Sequence, residues 1–464
     1  MFTRPPLTRV DRDGPIPAAF AQEERLLCGR DFEVPNTTCA MGLHFAGPLD
    51  VAALERSIDV LVERHETLRL IFQNGPNGCR MIVTDGRAIS MRQQSVENEA
   101  PGQRMARALG LIAEEAQRPF DLASGPLVRA MLVRLSDTEH LLGLVVDKIL
   151  VERNSCVILQ RDLLASYNQA LGLTEADLPD LTLQFADYAA WQRSYLQGEA
   201  SEQLLGYWRT ALNGVDAFPN VGMIDPESRP GRPRGLAIHT TTVPAELLVG
   251  LEKAARSEGA SLYAALVSAL KAVIYARRRL ALGQGATADV SILGSVANRG
   301  YRAMKDVVGY LASYTVLRTD LSGNPTLATL MERETGAIFG AVCHQEVPHS
   351  LITRTISPHQ YGALHRFGRN DVPHFLHFDT DDDWTSMLSQ PTTLRVRAVR
   401  VPLAEVPHGW LRLIARNVPE GMMLQLRYRT DFFSAGWAES FLDHYVDVLR
   451  LWPERLGHRL SDLG

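Results

Sequence analysis

The stretch from Leu141 to Leu164, LLGLVVDKILVERNSCVILQRDLL, constrains this chain more than any other. Leu141 to Val146 is an apolar run short enough for a buried strand. It stops at Asp147 and Lys148, and Glu152 and Arg153 follow within one short loop. From Asn154 or Ser155, either of which suits an N-cap, the pattern turns helical, with Val157, Ile158, Leu163, Leu164, Tyr167 and Leu171 roughly on one face. The stretch therefore predicts a core strand that delivers four charges into a strand-to-helix turn. Such a turn is either a site or the solvated rim of an ordinary connection, and the stretch alone leaves both open.

Composition narrows the class. With 464 residues, 45% hydrophobic and 22% charged, the chain has enough apolar material for two or three cores. A formal net charge of −5 supplies no basic footprint for nucleic acid or an anionic membrane. No apolar run reaches the roughly 18 residues of a membrane span, and MFTRPPLTRVDRDGPIP has no signal-peptide core, so a cytoplasmic protein is expected. The five cysteines, Cys28, Cys39, Cys79, Cys156 and Cys343, include no CxxC pair. The 13 histidines include no HExxH; His374 and His377, at i and i+3, are the nearest approach, and no metal site is expected.

In chain order, residues 1 to about 15 predict an extended arm, IPAAFAQEERLL (Ile16 to Leu27) a short helix, and Val51 to Arg69 an amphipathic helix capped by Asp50. That helix ends in RHETLRLIF, residues 64 to 72. Then follow PFDLASGPLVRAML at 119 to 132, the charged turn, DYAAWQ at 187 to 192 and YWRTAL at 207 to 212. The second half carries a helical GASLYAALVSALKAVIYAR (259 to 277), then ADVSILGSVANRG (288 to 300), VVGYLASYTVLRTDLSG (307 to 323) and HQEVPHSLI (344 to 352). In this order and at these distances the segments resemble the motifs of condensation domains from nonribosomal peptide synthetases, from about Ile16 to Trp452.

The resemblance implies an α/β (α+β) fold of two lobes similar to chloramphenicol acetyltransferase, joined as a pseudodimer around a central tunnel. Expected boundaries are an N-terminal lobe over 1–180, a connecting segment over 181–235 that includes the Pro- and Gly-rich DPESRPGRPRG, and a C-terminal lobe over 236–464. It also implies phosphopantetheinylated peptidyl or acyl carrier proteins as partners, with no cofactor of the chain's own. The domain is expected to be free-standing or excised from a larger synthetase.

The chain departs from the family at its active turn. Where the family has HHxxxDG, the sequence reads DKILVER, residues 147 to 153. Asp147 replaces the first histidine, Lys148 the second, Glu152 the aspartate and Arg153 the glycine. Asp147, Glu152 and Ser155 spell DxxxxExxS, similar to the DxxxxDxxS of heterocyclisation domains. Three functions remain open: acyl transfer, with or without cyclisation, using Asp147 or Glu152 as acid or base; a catalytically silent module that recruits a tailoring enzyme to carrier-bound peptide; and transfer to an unusual acceptor with Lys148 as base or with proximity alone. Arg64, Arg69 and Arg299 are candidates to pair with and orient the carboxylates. Ser155 is either a site donor or a plain cap. Tyr310, Ser313 and Trp384 are candidate tunnel residues. Between burial, which lowers a lysine pKa, and neighbouring carboxylates, which raise it, the expectation is that the carboxylates win and Lys148 stays protonated.

Overall fold

The computed structural model describes residues 4–29, 38–75, 78–86, 89–217, 223, 225, 235–283, 287–367, 376–381, 394–403 and 411–463. Strand β7 (Glu139–Asp147) forms where the apolar run predicts it. It lies mid-sheet in the order β12 (Arg395–Arg400), β2 (Thr38–Ala46), β7, β6 (Val128–Ser136), β5 (Met91–Ser95). Every residue of β7 after Glu139 is buried, because both faces are covered. Leu141 and Val145 pack with Ile112 and Ala116 of the helix Arg104–Gln117. Leu142, Leu144 and Val146 share the main core with Leu54, Ile58, Leu159 and Leu163. At about 1.5–3 kcal/mol for each fully buried aliphatic side chain, this alternation fixes the strand's register. Gly143 lets the covering helix approach: a Cβ there would sit 2.6 Å from Ile112 Cγ2.

A small sheet orders β1 (Ile16–Pro17), β4 (Gly78–Val83) and β3 (Leu70–Gly75). It corrects the N-terminal helix: Ile16 and Pro17 pair with Met81 and Arg80, and the helix runs from Phe20 to Gly29. The second half builds a six-stranded sheet ordered β10 (Ser313–Asp320), β9 (Asp289–Val296), β11 (Leu376–Asp381), β13 (Leu411–Val418), β14 (Gly421–Arg429), β8 (Leu236–Pro244). The helices Leu262–Leu282, Leu327–Cys343 and Ala435–Leu451 pack with it. β12 comes from this second half yet pairs antiparallel with β2, Arg395 opposite Ala46 through Arg400 opposite Met41. The expected lobe boundaries do not include that crossing. The expected connecting segment carries two helices, Phe185–Tyr195 and Gly198–Ala211; most of its Pro- and Gly-rich stretch DPESRPGRPRG, and Trp384 and His374, lie outside the described residues.

Candidate functional site: the turn after the central strand

The turn is built by its own charges. The Asp147 carboxylate accepts the Ile149 backbone N–H at 2.8 Å, and its backbone carbonyl accepts the Leu150 N–H at 3.0 Å. The helix Arg153–Ala170 begins at Glu152, not at Asn154 or Ser155. Glu152 is its N-cap: its carboxylate accepts the backbone N–H groups of Asn154 at 2.8 Å and Ser155 at 3.1 Å. A carboxylate at that end also faces the positive pole of the helix.

The same residues join the two halves of the chain. Arg299, in the loop after β9, pairs with Glu152 at 2.6 Å, and both side chains are at least nine-tenths buried. The Arg299 guanidinium also donates to the carbonyl oxygens of Met304, at 2.8 Å, and Val307, at 2.9 Å. The Ser155 hydroxyl donates to Gly309 O at 2.8 Å and accepts the Gly309 N–H at 3.0 Å. Thr67 donates to Val308 O at 2.6 Å, and Arg161 meets Asp306 at 2.6 Å. Ser155 is thus a clasp between the halves as well as a member of the first helical turn.

Beside this seam lies a cavity of about 310 Å³, lined by Arg25, Cys39, Lys148, Glu152, Arg153, Cys156 and Tyr310, among others. Lys148 keeps part of its surface in the cavity, yet its ammonium is mostly surrounded by protein. Burial pulls its pKa from 10.5 down to about 8, and the positive charges of Arg25 and Arg412 push the same way, against Cys39 and Asp147. This corrects the expectation that the carboxylates win over burial, although a pKa of about 8 still leaves Lys148 mostly protonated at pH 7. Asp147 is engaged with the Ile149 N–H and Glu152 is held by Arg299, while two arginines add positive potential. Asp147 is buried and is not among the cavity's lining residues.

Two further expectations are corrected. Arg64 pairs with Asp162 at 2.9 Å and donates to Pro179 O at 2.5 Å. Arg69 donates to the carbonyl oxygens of Val62, at 3.2 Å, and Thr84, at 2.6 Å. Of the three candidate arginines it is Arg299 that holds the Glu152 carboxylate. Ser313 opens β10 opposite Val296 and accepts the His349 N–H at 3.3 Å; it does not line the cavity, whereas Tyr310 does. Sequence reasoning missed Arg25, Cys39 and Cys156 as cavity residues. The two sulfurs lie 3.1 Å apart although 117 positions separate them in the chain, a spacing with no local signature. Among the described residues no group of three or more His, Cys, Asp or Glu is placed to hold a metal ion.

The condensation domain family matches residues 16–463. The chain belongs to that family. A linear gramicidin synthase protein from Brevibacillus parabrevis is 30% identical over 456 residues, 96% of this chain but 6% of that protein. The chain thus spans only a small part of the curated relatives it matches. Among solved structures, the complex of the X-domain and OxyB from teicoplanin biosynthesis superposes with a TM-score of 0.80 at 25% identity, covering 100% of this chain and 98% of the other. The first condensation domain of the calcium-dependent antibiotic synthetase superposes at 0.67 and 15% identity, covering 97% and 99%, a likeness of fold. This condensation domain therefore has the α/β architecture of its family.

Proposed function

We propose that this condensation domain acts in nonribosomal peptide biosynthesis, moving an acyl or aminoacyl group from a carrier-protein phosphopantetheine thioester to an amine, with Lys148 as the base. The observation that carries this reading is Lys148 itself, in the cavity and with a pKa near 8. At pH 8 about half of such lysines are neutral, against well under one in a hundred at the ordinary value. The neutral Lys148 amine takes the proton that the acceptor amine sheds as its nitrogen adds to the thioester carbonyl, then returns it to the departing thiolate. A positioned group of this kind is worth on the order of 10² to 10⁴ in rate. Asp147 shapes the turn, Glu152 caps the helix and holds Arg299, and Ser155 clasps the halves. The DxxxxExxS spacing then has a structural account, and heterocyclisation by two carboxylates loses its residues.

A second reading is a silent module that docks a tailoring enzyme onto carrier-bound peptide. It is favoured by the likeness to the X-domain whose solved structure is a complex with OxyB. Intact-protein mass spectrometry of carrier proteins loaded with donor and acceptor separates the two. Transfer of mass between carriers that rises with pH around 8, and falls about 10²-fold in Lys148→Ala, supports the base. Carrier binding without transfer, at any pH, favours docking.

A further inference from the structure

Cys39 and Cys156 take no part in the base mechanism, yet they share its cavity. Cys39 opens the inner end of β2, opposite Val146 and one step from the Thr38–Asp147 pair, so its side chain lies beside the turn that carries Lys148. Cys156 stands in the first turn of the helix Arg153–Ala170 and also lines the cavity. Their sulfurs are 3.1 Å apart, a hydrogen-bonding contact well outside the ~2.05 Å of a disulfide. Free cysteines are often inert core residues. This pair is not sealed in a core: both residues are half-buried and both open onto a cavity with a lysine in it.

The roles of the two thiols differ. The two sulfurs share one contact in which either thiol can donate; that contact, with help from Lys148, holds the Cys39 thiol below its ordinary pKa, whereas the same contact and burial hold Cys156 well above. Beside the turn that carries Lys148, this asymmetry favours Cys39 as the sulfur that loses its proton, with Cys156 donating to it. A thiolate is the reactive form, and a nearby cation and hydrogen-bond donor are what favour it.

We propose that Cys39 is an acyl-accepting nucleophile that takes acyl groups from pantetheine-type thioesters into a covalent acyl-enzyme, an extension that rests on the acyl-transfer reading above. Cys39 gives its proton to the neutral Lys148 amine and its sulfur attacks the thioester carbonyl carbon. The tetrahedral carbon expels the pantetheine sulfur, which takes the proton back from Lys148. One C–S bond forms, one breaks, and nothing is oxidised or reduced. The product is again a thioester, so the acyl group stays activated toward an amine.

The test uses the whole chain, kept reduced, with butyryl-N-acetylcysteamine as the probe. Intact mass and peptide mapping should find one butyryl group per chain on Cys39, released by hydroxylamine. Cys39→Ala should lose it and Cys343→Ala should keep it. Cys156→Ser, which retains a donor, should label like wild type, whereas Cys156→Ala should label about tenfold more slowly, the worth of one hydrogen bond to a charged sulfur. No adduct on the folded wild-type chain, or an adduct only on Cys156 or Cys343, overturns the proposal. Wild type that moves acyl groups between carriers without ever carrying one itself also overturns it and leaves the Lys148 route standing. A Cys39 adduct in a chain that never passes its acyl group to a carrier-bound amine upholds the Cys39 site while removing the carrier-to-carrier reading.

Discussion

Lys148 is buried at a cost that depends on pH. Its folded pKa, about 8, lies below the ordinary 10.5, so the folded state disfavours the charged form. Below pH 8 both the folded and unfolded chains hold the proton, and this residue adds no slope to stability. Between about 8 and 10.5 the unfolded chain binds the proton and the folded chain does not, so stability rises with pH across that window. The full rise is at most about 3 kcal/mol, reduced by the water that reaches the cavity side of the ammonium. Lys148→Met removes the titrating group. Urea unfolding should find the variant more stable than wild type at pH 7, with the advantage shrinking toward pH 10. Parallel curves for the two proteins would mean that Lys148 is not desolvated. The residue's place in the turn after a buried strand was legible in the apolar run before it. The direction of its pKa was not, because that depends first on how deeply the fold buries the ammonium and then on Arg25 and Arg412, which no local pattern links to it.

The helix Arg153–Ala170 shows how far an element can be deduced from its sequence. Its existence and its apolar face were visible in the spacing, and so was the helix from Val51 with its cap, where the Asp50 carboxylate accepts the Ala53 N–H at 2.8 Å; that helix was expected to reach Arg69 but ends at Arg64, and a 3-10 turn, Glu66–Arg69, follows. The start of the later helix was misplaced because Asn154 and Ser155 are better intrinsic caps than a glutamate. Glu152 takes the position because Arg299 fixes its carboxylate from across the seam, a partner 147 residues away. Glu152→Ala removes the cap, worth about 1 kcal/mol, and strands the buried Arg299 guanidinium, worth about 3–5 kcal/mol. Glu152→Gln keeps an acceptor for the helix N–H groups and should lose clearly less. Equal losses for the two variants in chemical unfolding would mean that the charge pairing with Arg299 contributes everything and the cap nothing. The β12–β2 pairing was wholly invisible for the same reason: Arg397 stands opposite His44 with no local signal that could bring them together.

At the scale of the whole molecule, the two halves meet through contacts that leave little room, and glycine is required where they are tightest. A Cβ on Gly309 would stand 2.1 Å from the ring of Phe185, a fully buried residue of the helix Phe185–Tyr195. The same glycine holds Ser155 through both its N–H and its carbonyl. Gly309→Ala must therefore move either Phe185 or the seam, and overpacking of this kind costs about 1–3 kcal/mol before any loss at the Ser155 clasp. Gly336 offers the opposite case in the same chain. It is exposed within the helix Leu327–Cys343 and a Cβ there meets nothing within 4 Å. Gly336→Ala should stabilise by up to about 1 kcal/mol, the helix preference of alanine over glycine. The two substitutions add the same methyl group, so their difference isolates the seam. In thermal unfolding Gly309→Ala should melt below wild type and Gly336→Ala at or above it. The first should also weaken carrier processing, because the cavity beside Glu152 and Tyr310 is walled by both halves of the chain. A Gly309→Ala protein with wild-type melting and activity would show that the halves can slide apart freely, and the close-fitting seam would have to be abandoned.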